Sequence, residues 1–218
     1  EELAYIVNNC EAQVLITSQA KLGIVREALR SCPQVLRCLV VDGLPGGADD
    51  GIFVDFAQAV APFPTTPIAD EWLGTAMLYS SGTTGRPKGV QRPLPDNPPS
   101  QPLPLFAFLS QLWRYREGLT YLSPAPLYHS APQAAVALTI RHGGTAIIME
   151  HFDPEAYLAL VDKYQVTHSQ LVPTMFSRML KLPQATRDKY RLTSLETAIH
   201  AAAPCPVQVK EQMIAWWG

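Results

Sequence analysis

"SAPQAAVALTIRHGGTAIIMEHFDPEAYLALVDKYQVTHSQLVP", residues 130–173, sets the fold class. Its first part, 130–144, reads as a helix closed by a glycine stop. "TAIIMEH", 145–151, is a short apolar run that reads as a buried strand. "FDPEAYLALVDKYQ", 152–165, opens with Asp153-Pro154-Glu155: an N-cap, a proline at the first turn and an acid at the positive end of the helix dipole. "VTHSQLVP" then continues the alternation, followed by "PTMFSRMLKL", "LETAIHAAA" and "PVQVKEQMIAWW". Helix and strand in strict succession predict an α/β fold with mostly parallel sheets and flanking helices.

The same rhythm runs upstream. "EELAYIVNNC" has helical spacing, "QVLITS" is a β-branched run, "KLGIVREALRSC" is amphipathic and "LRCLVVD" reads as a strand. After a Gly/Asp/Pro loop, "FVDFAQAV" is expected to be a short helix, and "TAMLYSSG" a strand. Residues 93–104, "PLPDNPPSQPLP", hold six of the 20 prolines and break the pattern. Proline fixes φ and removes a ladder donor, so this segment reads as an exposed connector.

Composition narrows the function. The 218 residues carry 17 basic and 19 acidic side chains with no basic cluster, which argues against a nucleic-acid partner or an anionic membrane surface. Mean hydropathy is +0.03 and no apolar run reaches the ~18 residues of a membrane helix, so no integral membrane segment is expected. Cys10, Cys32, Cys38 and Cys205 show neither CxxC nor a His/Cys ligand spacing, so reduced, buried thiols are expected and no metal ligands are assigned. The chain opens on Glu rather than Met and closes on exposed-looking aromatics in "AWWG", so it reads as a piece of a longer one.

One loop carries chemistry. In "YSSGTTGRPKGV", residues 79–90, the glycines let backbone N–H groups approach an anion, Ser80, Ser81, Thr83 and Thr84 add hydroxyl donors, and Lys88 adds a mobile charge. That combination suits a polyphosphate. It is not a Walker A loop, because Gly82 and Gly85 are two residues apart and Lys88 is followed by Gly89. GxGxxG is absent. An ordinary Ser/Gly turn is the bland alternative, although the closing Pro-Lys-Gly makes the string much rarer than that.

"YSSGTTGRPKGV" resembles the phosphate loop of the adenylate-forming enzymes: acyl-CoA synthetases, peptide-synthetase adenylation domains and luciferases. The flanks "EELAYIVNNCEAQVLITS" and "PAPLYHSAPQAAVALTIRHGG" onward to "AAAPC" are similar to the same family, most closely its fatty-acyl-CoA ligases. The resemblance implies that residues 1–218 are part of an N-terminal AMP-binding domain, with 93–104 as a connector and the C-terminal lid domain absent. It implies ATP, Mg²⁺ and CoA as cofactor and co-substrates, and a small-molecule carboxylic acid activated as acyl-AMP. Ser80, Ser81, Gly82, Thr83, Thr84, Gly85 and Lys88 would then hold the β- and γ-phosphates.

Further assignments rest on the same resemblance. His129, in "PLYHS", would face the carboxylate and gate the acyl pocket as the catalytic-site histidine; the alternative is a packed histidine with Ser130 as helix N-cap. A hydrolase dyad of His129 and Ser130 lacks a G-x-S-x-G elbow. Ala201, Ala202, Ala203 and Pro204, in "HAAAPC", would form a small-residue turn against adenine, with Ala201 where glycine is frequent in the family. Thr174, in "LVPTMF", would touch the acyl pocket, although that segment is equally well explained as core. After the loop, Gln91-Arg92 replaces the Thr-His pair that is frequent there. The family's later acidic, aspartate, arginine and lysine groups are missing, so the fragment alone is expected to be inactive. Two further readings stay open: an adenylation domain loading a carrier protein, or an aryl-acid ligase; and a non-catalytic nucleotide-binding scaffold. The expected location is cytoplasmic, with peripheral membrane contact through acyl delivery and a homodimer, frequent among such enzymes, both left open.

Overall fold

The computed structural model describes residues 1–45, 51–80 and 85–218. These divide into two compact units, Glu1–Gln101 and Pro102–Gly218, each described by itself.

In the first unit, α1 (Glu2–Asn9) leads to β1 (Val14–Thr17), α2 (Leu22–Leu29) and β2 (Arg37–Val40). β3 (Phe53–Asp55) then completes a parallel sheet of order β1-β2-β3. "FVDFAQAV" is therefore not one helix. Its first three residues pair with Cys38–Val40, and only Phe56–Val60 coil, as α3. Asp55 serves both elements: it ends the strand, and its carboxylate accepts from Gln58 N at 2.9 Å as the helix cap. Helices α1 and α2 cover one face of this sheet, burying Val7, Val25, Cys32, Cys38, Val40 and Phe53. Two more strands, β4 (Leu78–Ser80) and β5 (Lys88–Val90), form a separate antiparallel hairpin. Residues 91–103 hold no helix or strand, as the prolines predict.

The second unit opens with α4 (Pro104–Leu112), whose start at a proline the sequence reading passed over, and β6 (Thr120–Ser123), which it also missed. Then come α5 (Ser130–Arg141), β7 (Thr145–Ile148), α6 (Pro154–Tyr164), β8 (His168–Leu171), α7 (Pro173–Leu180), α8 (Gln184–Arg187), β9 (Thr197–His200) and α9 (Val207–Trp217). The four strands are all parallel, in the order β7-β6-β8-β9. Alternation sends Tyr121 into a layer with Ala135 and Leu138 of α5. Leu122 goes the other way, against Tyr157, Leu158 and Val161 of α6 and Phe176 and Met179 of α7.

The signals at 153–155 hold: the Asp153 carboxylate accepts from Ala156 N at 2.8 Å and Pro154 sits in the first turn. Two expectations are corrected. β7 is an edge strand with Thr145 and Ile148 exposed, so its isoleucines reflect half-burial rather than enclosure. The terminal tryptophans are not exposed: Trp217 stacks on Tyr157 at 6.2 Å and meets Phe176 edge-on at 5.8 Å. None of the four cysteines forms a disulfide.

Candidate phosphate and acyl site

The antiparallel hairpin positions the loop. Its register sets Leu78 opposite Val90, Tyr79 opposite Gly89 and Ser80 opposite Lys88. The Ser80 hydroxyl and the Lys88 ammonium therefore stand on facing residues at the mouth of the loop, both exposed. Gly85 has φ +91°, and a methyl group built there would meet nothing within 4 Å, so conformation rather than space demands glycine. Ser81, Gly82, Thr83 and Thr84 lie outside the described residues. A hollow of about 500 Å³ beside the outgoing arm is lined by Glu1, Glu2, Tyr5, Gly85, Arg86 and Pro87. Of the candidate phosphate residues only Gly85 is on its wall, where the Arg86 guanidinium stands beside the carboxylates of Glu1 and Glu2.

In the second unit the remaining candidates collect at one end of one sheet. β7 flanks β6 on one side and β8 on the other, so the chain reverses its direction of travel across the sheet between β6 and β8. Ligands of open parallel sheets bind at the carboxyl ends of the strands at such a reversal. His129 follows β6, Thr174 follows β8, and Ala201–Pro204 follow β9. These six residues thus follow the carboxyl ends of three neighbouring strands, His129 and Ala201–Pro204 on loops and Thr174 in the first turn of α7. The phosphate hairpin belongs to the other unit.

Locally, His129 itself is the N-cap of α5, with extended backbone and no side-chain cap bond, and Ser130 is the first helical residue. This corrects the alternative in which Ser130 caps a packed histidine. The His129 ring is exposed and lies 4.5 Å from the ring of Tyr128, which is 80% exposed. Thr174 is exposed in the first turn of α7, between the buried Pro173 and Met175, so it is not core. Ala201 N donates to the Leu171 carbonyl at 3.3 Å, extending the β8–β9 ladder by one step. The left-handed backbone falls on Ala202, at φ +72°, rather than on Ala201. Ala202, Ala203 and Pro204 are exposed, which leaves backbone accessible to a flat ligand.

In the same sheet β8 is buried along its whole length although three of its four residues are polar. His168, 0% exposed, donates from Nε2 to the Trp113 carbonyl at 2.9 Å, and its Nδ1 lies 2.8 Å from Thr167 Oγ1. Burial pushes the imidazole below its ordinary pKa, helped by Arg116 and opposed by the Trp113 carbonyl and Glu196. Ser169 Oγ donates to the Leu122 carbonyl at 2.8 Å. Tyr115 is pushed up to about 12 by burial, and the Tyr121 and Tyr157 phenols are raised for the same reason, so all three stay protonated structural groups. Among the described residues, no group of three or more His, Cys, Asp or Glu could hold a metal ion. No helix of the described residues is long and apolar enough to cross a membrane. The missed strand β6 had a signal, the run "LTYLS" between Gly118 and Pro124, and it is the strand that carries the His129 loop.

The same arrangement recurs in known proteins. The N-terminal domain of FACL13 from Mycobacterium tuberculosis superposes with a TM-score of 0.75 at 21% identity, covering 98% of this chain and 50% of that one. The luciferase-like enzyme of the mealworm Zophobas morio gives 0.74 at 15% identity, over 99% of this chain and 48% of its own. These likenesses show the fold. In sequence, crotonobetaine/carnitine–CoA ligase of Salmonella paratyphi A is 30% identical over 198 residues, which is 87% of this chain and 36% of the relative. The chain therefore spans about a third of the length of the curated relatives it matches. The AMP-binding enzyme family model matches residues 1–218, the hairpin and the four-stranded sheet alike, and the chain belongs to that family.

Proposed function

We propose that the protein containing this chain is an AMP-forming acyl-CoA ligase, which activates a medium- or long-chain fatty acid as acyl-AMP and transfers it to CoA. The observation that carries this reading is the hairpin register that faces Ser80 with Lys88, in a chain matched along its whole length by a family of AMP-binding enzymes. When the acid's carboxylate attacks the α-phosphorus of ATP, the bond to pyrophosphate breaks and charge grows on the β- and γ-phosphates. A hydroxyl donor and an ammonium placed there favour that transition state over bound ATP. Gly85 shapes the turn on its outgoing arm. His129, Thr174 and the Ala201–Pro204 turn would border the acid and the adenine from the sheet's carboxyl end. Magnesium is expected to accompany the nucleotide.

The names of the curated relatives favour a second acid, crotonobetaine or carnitine. ATP–pyrophosphate exchange by the full-length protein, with fatty acids of graded length beside crotonobetaine and carnitine, separates the two. Exchange peaking at one fatty-acid length supports the first reading; exchange with carnitine or crotonobetaine alone moves the substrate to the second. No exchange with any acid refutes the ligase. The 218-residue chain by itself is expected to show no exchange. A cytoplasmic homodimer is part of the proposal on the family's account alone, and light scattering checks the dimer.

A further inference from the structure

We infer that α1 braces the phosphate hairpin, with Tyr5 and Asn9 as positioning residues for Ser80 and Lys88; this rests on the ligase reading above. Tyr5 and Asn9 are four residues apart and so lie one above the other on the same face of α1. That face meets both arms of the hairpin. On the incoming arm, Tyr79 Oη donates to Asn9 Oδ1 at 2.6 Å, across 70 residues of chain. On the outgoing arm, the Arg86 guanidinium lies 5.6 Å from the centroid of the Tyr5 ring, within cation–π range. Tyr5 and Cys10 are also close enough to Tyr79 to join burial in raising its phenol pKa, so the contact is with the whole end of the helix.

The brace reaches Lys88 through Gly89. Tyr79 faces Gly89 across the hairpin, and a methyl group built on Gly89 would meet Tyr79 Cζ at 3.0 Å and Cε1 at 3.1 Å, and Met77 Cε closer still. The Tyr79 ring therefore lies directly against the Gly89 backbone while its hydroxyl is tied to α1. Gly89 adjoins Lys88, and Ser80 adjoins Tyr79. A single helix thus fixes the ring that packs across the hairpin one register step from the two facing groups. Arg86, two residues before Lys88, is held by the same helix.

The test uses the full-length protein. Tyr79→Phe keeps the ring and removes only the hydroxyl; Asn9→Ala removes the acceptor; Asn9→Asp retains an acceptor oxygen. In ATP–pyrophosphate exchange, Tyr79→Phe and Asn9→Ala should each raise KM for ATP about 3- to 10-fold, the range for one lost hydrogen bond. KM for the acid should not move. The double variant should be no worse than either single one, and Asn9→Asp should recover most of the loss. Singles within about 2-fold of wild type, additive effects in the double variant, or equal shifts in both KM values overturn the brace. If the wild-type protein shows no exchange with any acid, the ligase reading fails and the brace is judged by hydrogen exchange. Tyr79→Phe should then speed exchange of the β4–β5 ladder amides and leave those of β1 and β2 unchanged. Unaltered ladder protection overturns it.

Discussion

Gly144 closes the turn between α5 and β7, and a methyl group added there would meet the Leu119 carbonyl oxygen at 2.8 Å, Leu119 Cγ at 3.0 Å and Thr139 Cγ2 at 3.0 Å. An ordinary contact of this kind needs ~3.5 Å. Leu119 and Thr139 are both fully buried, and the Leu119 carbonyl already accepts from Thr145 N at 2.8 Å, the bond that begins the β6–β7 ladder. Neither neighbour can retreat without disturbing core or ladder. Overpacking of this kind costs about 1–3 kcal/mol, and a weakened ladder bond adds about 1 kcal/mol. The smaller freedom of alanine in the unfolded chain returns about 0.5–1 kcal/mol. Gly144→Ala should therefore destabilise by about 2 kcal/mol, since packing outweighs entropy. Gly23→Ala is the control: it lies inside α2, has nothing within 4 Å, and its φ is not positive. There alanine should stabilise by about 0.5–1 kcal/mol. Guanidinium unfolding followed by tryptophan fluorescence suits the measurement, because Trp113, Trp216 and Trp217 lie in the unit that holds Gly144 and only Trp72 lies in the other. A Gly144→Ala protein within about 0.5 kcal/mol of wild type, the range of an ordinary surface substitution, would refute the close approach.

Lys88→Met should lower the rate of pyrophosphate exchange about 10²-fold with less effect on KM for the acid, if the ammonium serves the departing phosphates; equal kinetics would remove Lys88 from the site. The His168 pKa is lowered from an ordinary 6.5, so as pH falls the unfolded chain takes up the proton first. Stability conferred by the neutral ring is complete above pH 6.5 and declines as pH drops below it. His168→Gln should flatten that decline in the urea midpoint, and parallel pH profiles would contradict it. Asp153→Ala removes the cap of α6 and should cost about 1 kcal/mol in the same unfolding assay, with Asp153→Asn retaining most of it. No loss in Asp153→Ala would mean that the bond to Ala156 N carries no weight.

What could be read in the sequence was local. The start of α6 was legible because Asp153, Pro154 and Glu155 each act within one turn of the helix. The phosphate loop was legible because its residues are contiguous. β3 was not, since Phe53–Asp55 is only three residues long and runs directly into the helix that Asp55 caps. The exposure of β7 depends on its place at the sheet edge, which no property of "TAII" announces. Likewise the grouping of His129, Thr174 and Ala201–Pro204 follows from strand order. Order is decided by crossovers tens of residues long, not by neighbours. Nor does the polar string "HSQL" announce a strand buried at every position; that burial is supported by His168 and Ser169, which bond backbone carbonyls 55 and 47 residues away.

Those partners give β8 a way to choose its own alignment. A strand of leucine and valine could slide along β6 and still bury apolar surface, but this one could not. Shifted by one residue, His168 would turn into the layer of Leu158, Val161 and Met179, and Ser169 would lose the Leu122 carbonyl. His168 would give up the Trp113 carbonyl at the same moment. Each buried polar group left without a partner costs about 1–3 kcal/mol, so the mismatched pairing is penalised at two side chains together. The polar strand thus acts as a key that fits a single slot, and it fixes where the first turn of α7, with Thr174, must emerge beside the His129 loop.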